Sequence, residues 1–462
     1  MKIMNTLYKI RNYGLFLMCG FLVIGCDEFL KIDPPRTDLV RATIFATDAT
    51  ADAAVVDIYY QMAVTGFANG SSNGVGYYGS LSSDEVTQNA TGSIAEFHQF
   101  NDNALLANNF LVTNLWSNIY KTVYRANAII EGLAASTEVS ENLKNQLTGE
   151  AKFVRAFCHF HAVNLWGDVP LIVTTDYKTN NSILRSAKAL VYQQIEADLK
   201  DAQRLLTDDY SFSNNERVRA NKGAATALLA RVYLFTEDWI NAETEATRLI
   251  DNTSQYSLET DLRRVFQTKS KEAVFQLWTQ KYPNEVVTFA FNTVTGPLNG
   301  TLRPGFVDGF EPGDQRTITW IKPASLGGII YYQAFKYQSN AMPPEDYSTV
   351  FRLAEQYLIR AEARAQQNKF SDSAGDINII RNRAGLANTT SATNAELMDD
   401  VMQERRSELF TEWGHRWFDL KRTGKADVVL GPIKPEWNAN DVLYPIPEVQ
   451  LISNPAMTQN PN

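Results

Sequence analysis

Apolar residues recur at three- and four-residue steps through much of the first half of the chain. Leu111, Leu115, Ile119, Val123, Asn127 and Ile130 form one such series, and Leu143, Leu147, Ala151, Val154, Cys158, His161 and Leu165 form a second. Steps of this size place side chains on one face of a 3.6-residue helix, so each series predicts an amphipathic helix. A third helix is predicted from Ser186, a suitable N-cap, through Val191, Ile195, Leu199, Ala202 and Leu206. A fourth runs over Lys222–Phe235, and an earlier one over Ala49–Met62. That early helix runs into a Gly/Asn/Ser loop, Gly66 to Gly76, followed by Tyr77-Tyr78.

Helix pairs follow. Ala224–Phe235 is one helix, Thr236-Glu237-Asp238-Trp239 a short turn, and Ile240–Ile250 the return helix. The same layout recurs as Leu353–Gln367, Asn368-Lys369-Phe370 and Asp372–Ala384. Small Ala positions let the paired helices approach, and an aromatic closes each turn. The layout resembles tetratricopeptide repeats. A last helix is predicted across the block Glu404–Gly424. On it Val401, Arg405 and Leu409 share a face, so Arg405 is expected to be buried against carboxylates, with Glu408, Glu412 and Asp419 as candidates. An acid/base site is the functional alternative; a structural ion network is preferred, because such networks also perturb pKa values.

Residues 255–350 read differently. Ala273–Trp278 is a short strand, after which Gly296, Pro297, Gly300, Pro304, Gly305, Gly309, Pro312 and Gly313 exclude long helices. The stretch is rich in rings, among them Trp278, Tyr282, Phe291, Trp320, Tyr331 and Tyr332. Rings on loops build either a second small core or a platform on which a flat ligand stacks. As stacking surfaces we select Tyr77, Tyr78, Tyr282 and Trp320, with Asn73, Asp84 and Arg316 as hydrogen-bond partners. Trp116, Trp166, Trp239 and Trp417 are read as core.

Composition narrows the function class. The 462 residues are 44% hydrophobic and 21% charged, an ordinary globular balance. The formal charge of −9 opposes a general nucleic-acid binder, which needs a cationic face. It also disfavours strongly anionic ligands unless a local basic patch exists. Of four histidines, His159 and His161 stand two apart on a helix and point away from each other, so they make no metal pair. No G-x-S-x-G, P-loop or H-E-x-x-H pattern is present. No catalytic residue, metal or cofactor is expected. A helical glycoside hydrolase stays open as an alternative, since two carboxylates among 52 acidic residues are always available. So does a protein-binding repeat scaffold.

The N-terminus reads as an address. Lys2, Lys9 and Arg11 precede an apolar run from Leu15 to Ile24, the layout of a secretory signal over residues 1–25. Val23-Ile24-Gly25-Cys26 reads as a bacterial lipobox, with Cys26 lipidated and first in the mature chain. Several acyl chains together give a stable membrane anchor. Residues 26–42, with Pro34-Pro35, suit an extended tether. Loss of the signal removes three basic and no acidic residues, making the exported chain still more acidic. Cys158, on an apolar stripe, is expected to be a small buried residue.

Read in order, the motifs resemble the SusD/RagB family, surface lipoproteins of Bacteroidota nutrient-uptake systems. The resemblance rests on Cys26-Asp27-Glu28-Phe29-Leu30 with Asp33-Pro34-Pro35, on Tyr124-Arg125-Ala126-Asn127, on Gly149–Ala156 and on Gly167-Asp168-Val169-Pro170-Leu171. It continues through Ala224–Tyr233, Arg360-Ala361-Glu362-Ala363, Ile380–Leu386, Glu404–Gly424, Pro445-Ile446-Pro447 and Thr458-Gln459-Asn460-Pro461. Trp413 before Gly414 and the terminal Asn462 depart from the family's pattern.

The resemblance implies a mainly α fold, a tetratricopeptide-like scaffold of helix pairs with an irregular, loop-rich ligand-binding insertion. A single SusD-like domain is expected over 43–462. Its scaffold would span about 43–254 and 351–430, its loop-rich region 255–350, and an extended C-terminal wrap 431–462. The implied function is capture without catalysis. An oligosaccharide, or in some members an oligopeptide, is delivered to a SusC-like TonB-dependent transporter of the outer membrane, which the protein caps as a lid. The implied location is the cell surface, through the lipid anchor. The family's aromatic arc is not a fixed motif, so the candidate residues above stand on the residue reading alone.

Overall fold

The computed structural model describes residues 43–88 and 94–461. The signal 1–25, Cys26, the tether and Asn462 lie outside the described residues. Everything below belongs to the compact unit that begins at Phe45.

The periodic segments are helices, and their caps explain where they start. Thr47 accepts from Thr50 N at the head of α1 (Asp48–Val64). Asn109 accepts from Leu111 N and Val112 N at the head of α4 (Phe110–Ala135). Such side chains satisfy amides that have no partner within the helix. Helix α5 (Glu141–Trp166) is the central rod: every residue from Phe153 to Trp166 is buried, which its apolar residues on all sides anticipate. After a single turn at Tyr177–Asn180, α6 (Lys188–Leu205) starts two residues after the expected cap, Ser186. Its cap position is Ala187, and Asp168 supplies the acceptor for Lys188 N instead. Arg155 of α5 binds Asp198 of α6 and Asn127 of α4, fixing three helices with one guanidinium.

Both predicted helix pairs are present: α7 (Lys222–Phe235) with α8 (Trp239–Asp251), and α11 (Leu353–Gln366) with α12 (Phe370–Arg383). Glu237 and Asn368 take positive φ at the two turns. Helix α8 also packs on α11, so the pairs stand in tandem. Ala361 and Ala365 of α11 admit Ile377 of α12 and Leu397 and Val401 of α13 (Asn394–Glu408) into one core cluster.

The block Glu404–Gly424 is not one helix. After α13 the chain turns through Thr411, Trp413 and Gly414, all at positive φ, before α14 (His415–Arg422). The break turns Glu412 toward Arg352 and Lys336 and brings Trp413 Nε1 to Thr349 O at 2.6 Å.

The insertion leaves the scaffold from β2 (Ala273–Leu277) and returns through its antiparallel partner β6 (Ser348–Arg352), with Ser348 opposite Leu277. Every residue of both strands is buried. Between them lie α9 (Asn284–Thr288), a small hairpin of Phe291–Asn292 with Gly296–Pro297, and α10 (Gln315–Trp320). Helices here are short, as the Gly and Pro density requires. A four-stranded antiparallel sheet in the order β1-β3-β5-β4 joins Val86–Gln88 (β1) and Gly300–Leu302 (β3) to a hairpin of Ile321–Leu326 (β4) and Ile329–Ala334 (β5). The C-terminal stretch wraps back onto α5: Tyr444 N donates to Leu165 O, and Asn460 Nδ2 to Trp166 O. A 3-10 turn, Ala439–Val442, and a short helix, Glu448–Ser453, interrupt that wrap. Among the described residues no helix is long and apolar enough to cross a membrane.

Candidate functional site

The outer surface of the insertion begins at the Gly66–Gly76 loop. Asn284 Nδ2 of α9 donates to Asn69 O, and Thr288 Oγ1 donates to Gly70 O. Gly70 has φ +66, and a Cβ there would overlap the Glu285 carboxyl. The loop therefore sits directly on α9, with Asn73 exposed on the loop and Tyr282, half-buried, just before the helix. Beyond α9, Phe291 meets Tyr331 with ring centroids 5.5 Å apart. Leu326 approaches Gly296 of the small hairpin, so the two hairpins lie side by side. Pairing places Tyr331 opposite Ala324 and Ile329 opposite Leu326 on one face of the β4–β5 hairpin. Trp278 (39% exposed) and Leu298 (47%) are uncovered on neighbouring segments. Single exposed apolar residues need no explanation; Ile329 and Ile330 add to the exposed large apolar side chains on this insertion.

Of the seven selected ligand residues, Asn73 is exposed, and Tyr282 and Asp84 are partly exposed. The other four are buried, which corrects their selection as ligand contacts. Trp320 is fully buried, its Nε1 donating to Leu262 O at 3.0 Å and Lys336 lying over its ring. Tyr78 stacks on Phe100 at 4.3 Å, which in turn meets Tyr444 edge-on. Tyr77 is buried edge-on against Phe97 and Phe289. Arg316 is buried among Asp314, Glu404 and Glu408. Asp84 is held by Arg416 in a two-point ion pair. Rings in a Gly-rich context looked available, yet these pack the second core beneath the surface. Trp278, Phe291 and Tyr331, named among the rings of 255–350 but not selected, are the ones that keep open surface. Their signal was present, as rings flanking the strand β2 and the two hairpin turns.

A web of buried charge fixes this surface to the scaffold. Arg352, at the end of β6, binds Glu272, Glu408 and Glu412. Arg383 of α12 binds Glu272 and Glu408, and Lys336 binds Glu412. Burial alone would push the Glu408 carboxyl up; Arg383, Arg352 and Arg316 outweigh it and hold it far below the usual range. Arg405, expected against several carboxylates, binds Asp419 at 2.7 Å. Every carboxylate in this web is paired with a cation, which favours the structural reading over acid/base chemistry. Cys158 is buried, and burial raises its thiol pKa. Burial also lowers both His159 and His161 to about 3, so they stay neutral. No cluster of metal-ligating side chains occurs among the described residues.

Comparison with known proteins agrees with this architecture. A family model described as "Starch-binding associating with outer membrane" matches residues 42–234, and the SusD family model matches residues 324–462. A SusD-like protein, P25, of Formosa agariphila is 23% identical, over 98% of both chains. A SusD-like protein of Bacteroides ovatus is 25% identical, over 87% of this chain and 80% of the relative. Among solved structures, a SusD superfamily protein of Bacteroides vulgatus superposes with a TM-score of 0.78 at 22% identity, over 90% of this chain and 99% of that one. A laminarin-binding SusD-like protein superposes at 0.74 with 24% identity, over 90% and 100%.

Proposed function

Because the chain belongs to the SusD/RagB family, we propose that it is a cell-surface lipoprotein that captures an oligosaccharide on the insertion. It then hands this cargo to a TonB-dependent outer-membrane transporter, for which it acts as the lid. Lipidation of Cys26 supplies the anchor, and binding takes place without bond cleavage. The observation that supports a sugar as cargo is the set of rings on the insertion with open surface: Trp278, exposed, and Tyr282, Phe291 and Tyr331, half-buried. Flat apolar rings suit the C–H faces of pyranoses, and Asn73 offers an amide for hydroxyls. The laminarin-binding neighbour makes a neutral glucan the first cargo to test.

The test is calorimetric titration of the full chain with neutral oligosaccharides and with mixed peptides. Saturable heat with one glycan class is expected. A Trp278→Ala/Tyr331→Ala variant is expected to weaken that binding about tenfold or more at unchanged thermal stability. Heat with peptides alone would overturn the sugar reading. Copurification with a TonB-dependent transporter from the native outer membrane tests the lid role, and its absence there would overturn that part.

A further inference from the structure

A second concave surface lies outside the insertion, where the C-terminal end of α5, the start of α6, α14 and the C-terminal wrap meet. It is an open groove of about 570 Å³, and none of its lining residues belongs to 255–350. Its charge runs against that of the chain. Lys188 stands exposed at the rim, and Lys421 is half-buried in the wall. Among the described residues neither ammonium forms an ion pair. Lys421 donates to Asn164 O and lies 4.8 Å from the Trp417 ring centroid. Lys188 Nζ lies 5.7 Å from the Tyr192 ring centroid. Arg185 spends its guanidinium on the carbonyls of Trp166, Asp168 and Thr458 and on Asn460 Oδ1. Asp168 is the one acidic side chain lining the groove. A fourth cation, Arg422, is already matched by Glu362 and Asp419.

One other lysine shares this lack of an ion pair among the described residues: buried Lys434 is met by the carbonyls of Leu81 and Ser82 and by Asn103 Oδ1, but it does not line the groove. The buried arginines of the charge web, such as Arg316 and Arg352, sit against carboxylates. Lys421 instead has a carbonyl and two ring faces, and burial, with Lys188 nearby, drives its pKa well below the ordinary lysine value. An ammonium held in a low-dielectric wall without a counter-charge gains most from an anion brought to it.

We infer that this groove is a binding site for a small oxyanion of the phosphate or sulfate type, held between Lys188 and Lys421. Phe418 and Leu443 line the same groove, an apolar wall that suits a ring carrying the oxyanion. The recessed placement of Lys421 favours a small group entering the groove over a flat membrane surface resting on it.

The experiment is calorimetric titration of the full chain at low salt with inorganic phosphate, inorganic sulfate and glucose 6-phosphate. Saturable binding is expected, weakened about three- to tenfold in Lys188→Gln, the loss of one partly exposed ion pair. Lys188 is exposed, so that variant keeps the fold even if Lys421→Met does not. Tighter binding of glucose 6-phosphate than of phosphate would assign the ligand to a sugar-borne group, and equal binding to the free ion. Three results overturn the site: no saturable binding, equal binding by Lys188→Gln, or binding only to phosphatidylglycerol vesicles.

Discussion

At the scale of single residues, Glu285 links the candidate site to pH. Its Oε1 accepts from Ser348 Oγ, while Oε2 is buried with no partner beneath the loop at Gly70. Burial pushes the carboxyl up to about 7. An unfolded Glu titrates near the ordinary value of about 4.3. Between these two values the folded chain holds a proton that the unfolded chain releases, so this group's contribution to stability falls as pH rises from about 4.5 to 7. Scanning calorimetry should therefore show Glu285→Gln losing less stability than the parent between pH 5 and pH 8, by at most about 3 kcal/mol. Coincident slopes would remove the assignment. Trp278 and Trp320 make a second contrast. Trp320→Ala should cost about 3–5 kcal/mol by emptying a packed site. Trp278→Ala should leave the melting temperature nearly unchanged and act on ligand affinity. The sequence made the abundance of rings in 255–350 legible but not their partition. Trp320 is buried by Leu262 and Lys336, which lie 58 residues before it and 16 after it, and no local pattern encodes that pairing.

At the scale of elements, periodicity carried the scaffold. The helices predicted over 111–165 and the two pairs appear with ends shifted by only a few residues, because each has one face that must be buried. Failures came where tertiary contacts rule. Ser186 lost its cap role to a side chain from the preceding loop, Asp168. The block after Arg405 broke because residues with left-handed backbone interrupt it, and Thr411 and Trp413 are not residue types that announce this. The same break creates a close crossing: a Cβ at Gly79 of α2 (Val75–Ser82) would lie 2.6 Å from Gly414 Cα. Backbone cannot yield as a flexible side chain does. Gly79→Ala should destabilise the fold by about 1–3 kcal/mol, read in denaturant melts. A neutral result would mean that α2 and α14 can move apart.

At the scale of the whole molecule, the buried charges bind the insertion to the helical frame. Glu408 alone faces Arg316, Arg352 and Arg383, which come from three separate stretches of chain. Glu408→Gln leaves those guanidinium groups short of a counter-charge and should cost about 3–5 kcal/mol. That loss should persist across neutral pH, because the native carboxylate resists protonation until strongly acid conditions. An effect below about 1 kcal/mol would show that the web is dispensable. This network was only partly legible: Arg405 and its carboxylates stood out on one helix, whereas Arg352 and Arg383 lie far from it in sequence. The strand pair beneath it has a consequence of another kind. Since Leu277 and Ser348 face each other across β2 and β6, the segment between them departs and returns at one point. Its tips at 293–295 and 327–328 lie far along the chain from that anchor, so changes of sequence there leave the strand pair itself untouched. A graft at those two tips is thus a change of surface without a change of frame.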